Sequence, residues 1–162
     1  MGLDARIYAR IHARYSVADD LGRPTYSMES GDILADQLVT GTADGQADLM
    51  FADQRTVGAG ASQEIDLSGS LEDPLGNAVV FAEVVAIEIR AAADNTNSVV
   101  VGGASSNAWV GPFGAADNTF AVPPGGTLVF NHPGAGWPVT ANTGDLLQVA
   151  NRSDEIVGGA DH

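Results

Sequence analysis

Nucleophilic catalysis needs a nucleophile beside a base, acid–base catalysis needs paired carboxylates, and metal chemistry needs a cluster of ligands. This 162-residue chain has three histidines, His12, His132 and His162, and no cysteine. The histidines are too scattered to suggest a zinc cluster, and neither a thiolate site nor a disulfide frame is available. His132 lies in Phe130-Asn131-His132-Pro133-Gly134, a turn between apolar runs, with no Gly-x-Ser-x-Gly elbow to partner it. It reads as a surface or turn-capping residue, and a hydrolase triad is rejected.

Two loops carry oxygen ligands, Asp94-Asn95-Thr96-Asn97-Ser98 and Asp44-Gly45-Gln46-Ala47-Asp48. A calcium loop needs acids at alternate positions, a central Gly and a terminal Glu, and neither loop has that set, so Asx turns explain both. Gly102-Gly103-Ala104 and Gly125-Gly126 match no phosphate-binding fingerprint, open no helix, and meet no Lys, because the chain has none. They read as turn glycines. No catalytic residue, metal or cofactor is expected, and the chain reads as a structural or binding protein, not an enzyme.

Two groupings remain that could recognise a partner. Trp109, Phe113 and Trp137 offer either an aromatic platform on which a sugar ring stacks or rings that plug the end of a β-sandwich or pack between subunits. Packing is the preferred of the two readings. The second grouping is N-terminal, where 5–15 alternates strictly. Ala5, Ile7, Ala9, Ile11, Ala13 and Tyr15 fall on one side, and Arg6, Tyr8, Arg10, His12 and Arg14 on the other. Period two favours a strand with one apolar and one cationic face, while Ile7 and Ile11 at i,i+4 leave a helix open. That face either stays solvated or docks on an acidic partner, and docking is favoured because strand addition would gain apolar burial and charge pairing together.

The elements that must position these residues are short. From 79 to 151 the chain repeats one pattern, a β-branched or aromatic run followed by a Gly, Pro or Asn break. The runs are 79–91, 98–101, 119–122, 127–130 and 146–151. Their breaks are Asp94-Asn95-Thr96-Asn97, Gly102-Gly103, Pro123-Pro124-Gly125-Gly126 and Asn142-Thr143-Gly144. This spacing predicts an all-β fold, an antiparallel β-sandwich or jelly-roll-like barrel with hairpin turns. The run 79–91 is the candidate central strand, with Val85, Ile87 and Ile89 on one face and Glu88 and Arg90 on the other. Two further strands are expected at 47–57 and 62–67, with Ile65 and Leu67 inward. Residues 16–45, polar with a few apolar anchors, are expected to run as an extended arm or long connection. The organisation expected is therefore an N-terminal strand and arm over 1–45 and a β-sandwich domain over 46–162.

Charge narrows the partners. All seven cations are Arg; residues 1–17 hold three against one acid, and residues 18–162 hold four against 20 acids. A body that acidic repels phosphate backbones and anionic lipid surfaces, so neither nucleic acid nor membrane is an expected partner. No stretch approaches the roughly 20 apolar residues of a membrane helix, and the N-terminus lacks a signal-peptide core, so a soluble chain without Sec-type export is expected.

Several segments together resemble a known group. They are the run Val79-Val80-Phe81-Ala82-Glu83-Val84-Val85-Ala86-Ile87-Glu88-Ile89-Arg90, then Val99-Val100-Val101-Gly102-Gly103-Ala104-Ser105-Ser106-Asn107-Ala108-Trp109, then Val122-Pro123-Pro124-Gly125-Gly126-Thr127-Leu128, and the stretch 137–151. With Asp53-Gln54-Arg55-Thr56 and Glu64-Ile65-Asp66-Leu67-Ser68-Gly69 upstream, about three-quarters of the chain resembles small β-rich virion proteins of tailed bacteriophages. The resemblance implies a capsid decoration or cement protein on the outer surface of the virion, contacting the major capsid protein and copies of itself, as a homotrimer. Arg6, Ile7, Arg10, Ile11 and Arg14 are then the contact residues. A tail or adsorption component binding a host glycan through Trp109, Phe113 and Trp137, and a free carbohydrate-binding module, are the alternatives. Such proteins are expected to carry a further strand and a Gly-rich end after Asn151; here the 156–157 pair is short, so the closing strand is expected to be truncated or supplied by a neighbour.

Overall fold

The computed structural model describes residues 3–9, 12–16, 25–29, 34–73 and 75–152. The chain divides into two compact units, Met1–Asp48 and Leu49–His162. Every regular element among the described residues is a strand, apart from one 3-10 turn at Gly111–Phe113.

The first unit contains β1 (Ala5–Ala9), β2 (His12–Ser16), β3 (Thr25–Glu29), β4 (Leu34–Thr40) and β5 (Gln46–Ala47). The alternating segment forms β1 and β2, and residues 10 and 11 between them lie outside the described residues. The segment expected as an extended connection carries β3 and β4. β1 pairs antiparallel with β4, placing Ala5 opposite Leu38 and Ile7 opposite Asp36, and β2 pairs antiparallel with β3. Leu38 is 2% exposed and anchors the β1–β4 ladder, whose end is tied by Thr40 Oγ1, which accepts from Leu3 N at 2.6 Å and donates to Leu3 O at 2.7 Å. β5 joins β4 in parallel. The strand expected over 47–57 is absent beyond Ala47, because no ladder partner is offered to that stretch; Asp53 instead caps Gln54 N and pairs with Arg55 at 2.8 Å.

The second unit is built from β6 (Ser62–Asp66), β7 (Leu71–Glu72), β8 (Ala78–Val79), β9 (Glu83–Val84), β10 (Ala86–Arg90), β11 (Val99–Gly102), β12 (Thr119–Val122), β13 (Thr127–Asn131), β14 (Trp137–Pro138) and β15 (Leu146–Asn151). A four-stranded antiparallel sheet runs in the order β12-β11-β15-β6. The remaining strands form the antiparallel pairs β10–β13, β9–β14 and β7–β8. One apolar core takes Ile65, Val99, Val101, Val122 and Leu147 from the four-stranded sheet, and Val84, Ile87, Ile89, Leu128, Phe130 and Trp137 from the paired strands. The fold is thus all-β, antiparallel in this unit and sandwich-like, with no closed barrel among the described residues. Val79 and Val101 are the most deeply buried side chains, each contributing about 2 kcal/mol of apolar burial.

Two further expectations need correction. The run 79–91 is not one central strand; it breaks into β8, β9 and β10. Phe81 N donates to Leu67 O at 3.0 Å and Val80 is 56% exposed, so the chain bends between separate partners. Outward Glu88 and Arg90 and inward Ile87 and Ile89 do follow the expected alternation on β10. The Pro123–Gly126 break is not a hairpin turn either. β12 stays in the four-stranded sheet with β11, whereas β13 pairs with β10. The break carries the chain from one layer to the other, clamped by Ala91 N to Gly126 O (3.0 Å) and Gly125 N to Ala91 O (3.1 Å).

Candidate functional site

In the first unit the candidate surface is the free edge of β1. The sheet order β1-β4-β5 puts β1 at a margin, with one side on β4 and no strand on the other among the described residues. The alternation sets the orientation, with Arg6 exposed and Ile7 half-buried. The Arg6 side chain is 71% exposed, and Asp4, whose Oδ1 lies 4.0 Å from Arg6 Nε and accepts from Gln37 Nε2 at 3.4 Å, is almost equally so. A pair that wet contributes little, which leaves the guanidinium free to find a stronger acid. Of the other expected contact residues, Arg14 lies on β2 opposite Ser27, and Arg10 and Ile11 lie outside the described residues. Arg6 and Arg14 therefore sit on separate ladders, because β1 and β2 take different partners.

In the second unit the structure separates the three aromatic candidates. Trp109 and Phe113 are 2% and 7% exposed, so their rings belong to the core and offer no face to a sugar. Trp109 Nε1 donates to Pro138 O at 3.0 Å, and its ring meets Phe113 at 6.1 Å and Trp137 at 6.5 Å, both edge to face. Trp137 keeps some exposure. It lines an open depression of about 350 Å³ with Ala108, Val110, Gly111, Pro138, Thr140, Thr143 and Gly144. Sequence reasoning treated the three rings alike because exposure depends on which strand pairs with which. The chain reverses towards this rim through Asn142, whose φ of 63° is left-handed and suits Asn.

One acidic group is deeply placed. Asp145 is 5% exposed; its Oδ2 accepts from Ser68 Oγ and from Asn142 N, both at 2.7 Å. The Ser68 hydroxyl bond, followed by that from the Asn142 amide, holds the Asp145 carboxyl below its ordinary value against the opposing effect of burial. Ser68 also contacts Asp66 Oδ1 at 3.2 Å. Sequence reading missed this link because its partners are 77 residues apart. Its bonds run to a turn amide and a neighbouring loop hydroxyl, which makes Asp145 a tie between loops. His132 is exposed and sits edge to face on Trp137 at 5.4 Å.

No group of three or more His, Cys, Asp or Glu that could hold a metal occurs among the described residues, and none of their helices is long and apolar enough to cross a membrane. No family model, curated protein or solved structure matches the chain.

Proposed function

We propose that this chain is a structural protein of a tailed-phage virion, a decoration or cement protein that binds the outside of the head through the major capsid protein and copies of itself. The observation that carries the reading is the edge of β1 that no strand pairs among the described residues, with its exposed Arg6. A free edge offers a row of backbone N–H and C=O groups, and strand addition by a neighbour satisfies them while burying the Ile7 side and pairing the Arg side. The complementary charge is abundant, since the second unit alone carries three Arg against 13 acids. A copy of this chain or a similarly acidic shell protein supplies it. Each contact can be weak, because a symmetric shell repeats it many times. The resemblance in the strand and turn segments of the second unit supports the same reading, with a homotrimer as the unit placed on the shell.

Mass-spectrometric stoichiometry of purified particles tests the proposal. Hundreds of copies per particle, in a multiple of the shell symmetry, support it. A handful of copies, or none, overturns it.

A further inference from the structure

We propose a carbohydrate-binding subsite on the second unit, at the depression lined by Trp137. This inference does not rest on the virion reading. At about 350 Å³ the depression stands at the small end of the range for small-molecule sites, about 300–1,000 Å³. Its lining holds no ionisable side chain. That composition offers a phosphate or carboxylate no compensating side-chain charge, on a body that is itself acidic. An indole beside hydroxyl groups instead matches a neutral sugar ring, which presents C–H groups on one face and hydroxyls around its edge.

Three observations fix the half-buried Trp137 where it lines the depression and leave it a group to offer a ligand. The ring is braced edge to face by Trp109 at 6.5 Å, Phe130 at 6.4 Å and His132 at 5.4 Å, so little side-chain freedom is lost on stacking. Its backbone is fixed by the β9–β14 pairing opposite Val84. Its Nε1, unlike that of Trp109, makes no hydrogen bond among the described residues and stays available to a ligand oxygen. At the rim, the Thr140 hydroxyl is engaged by no other group among the described residues, and that of Thr143 makes only a 3.4 Å bond to Thr140 O. Both can donate to and accept from sugar hydroxyls.

The test uses the whole chain labelled with ¹⁵N and follows its two indole N–H signals during titration with glucose, galactose, N-acetylglucosamine and short oligomers of each. The expected result is a saturable shift of the Trp137 signal by at least one of these, with Kd of about 1 mM, and a smaller response from the core-bonded Trp109. W137A should weaken binding at least tenfold. Because Trp137 also packs on the core, the T140V/T143V double variant serves as a second test that leaves the aromatic cluster intact, with weakening of about fivefold expected. An unmoved Trp137 signal with every probe overturns the proposal, as does full binding by T140V/T143V together with W137A.

Discussion

Trp109 Nε1 donates to the carbonyl of Pro138 across 3.0 Å, tying the buried one of the two tryptophans to the strand that carries the half-buried one. The bond joins the Trp109–Phe113 stretch to β14, so the indole of Trp109 is drawn under the strand that holds Trp137 at the rim. Replacing Trp109 by Phe removes the donor and part of the ring, with an expected loss of about 2 kcal/mol; Ala should cost about 4 kcal/mol by opening a cavity. Urea denaturation of the two variants measures both.

Gly102 and Gly114 separate strain from crowding. Both have positive φ, 97° and 82°, so an Ala at either pays for a left-handed backbone, about 1 kcal/mol. A Cβ at Gly114 meets nothing within 4 Å, whereas at Gly102 it would lie 2.6 Å from Asn118 O and 3.1 Å from the Phe113 ring. G114A is therefore expected to lose about 1 kcal/mol and G102A about 3 kcal/mol, measured as the shift in urea midpoint.

Acid should weaken the second unit through Asp145 and Asp73. Both carboxyls are held below their ordinary 3.8, Asp145 chiefly by Ser68 and Asp73 chiefly by the Asn77 side chain. Below-normal folded values mean the unfolded chain binds more protons over this window. The stabilisation is complete above the ordinary value and is lost as pH falls through the folded values. Melting temperatures from about pH 6 down to about pH 2.5 should fall at the acid end. D145N should be less stable at neutral pH and show a shallower acid decline; a parallel decline would contradict the assignment.

The β1 edge predicts a salt-sensitive attachment. Under the proposed capsid role, deleting residues 1–17 should abolish binding to phage heads lacking the protein. Reversing Arg6, Arg10 and Arg14 to Glu should weaken it about tenfold or more, while added salt weakens the native contact but not the reversed one. Cosedimentation with such heads reads all three. Unchanged attachment after the deletion would remove the arm from the proposal.

Local pattern carried the strands whose partners do not matter to their existence. β12 and β15 stand at the expected residues, and β11 and β13 within one residue of them, since each is a β-branched or aromatic run closed by a Gly, Pro or Asn break. Asn142 and the pair Gly102-Gly103 take the left-handed conformations that turn residues allow. The run 79–91 was misread as one strand because continuous apolarity reports burial, not a single partner.

What the sequence determined alone is therefore the all-β class, the positions of most turns, the acid excess of the body and the Arg alternation at its start, because these depend on residue type and spacing within a few positions. Only the tertiary structure decided the rest. β15 lies between β11 and β6, the Pro123–Gly126 break crosses between layers, Asp145 reaches Ser68 across 77 residues, and Trp109 is buried while Trp137 stays half-buried. The physical reason is that strand partners and ring exposure are chosen by shared burial among segments far apart in the chain, and no local stretch encodes who its neighbour will be.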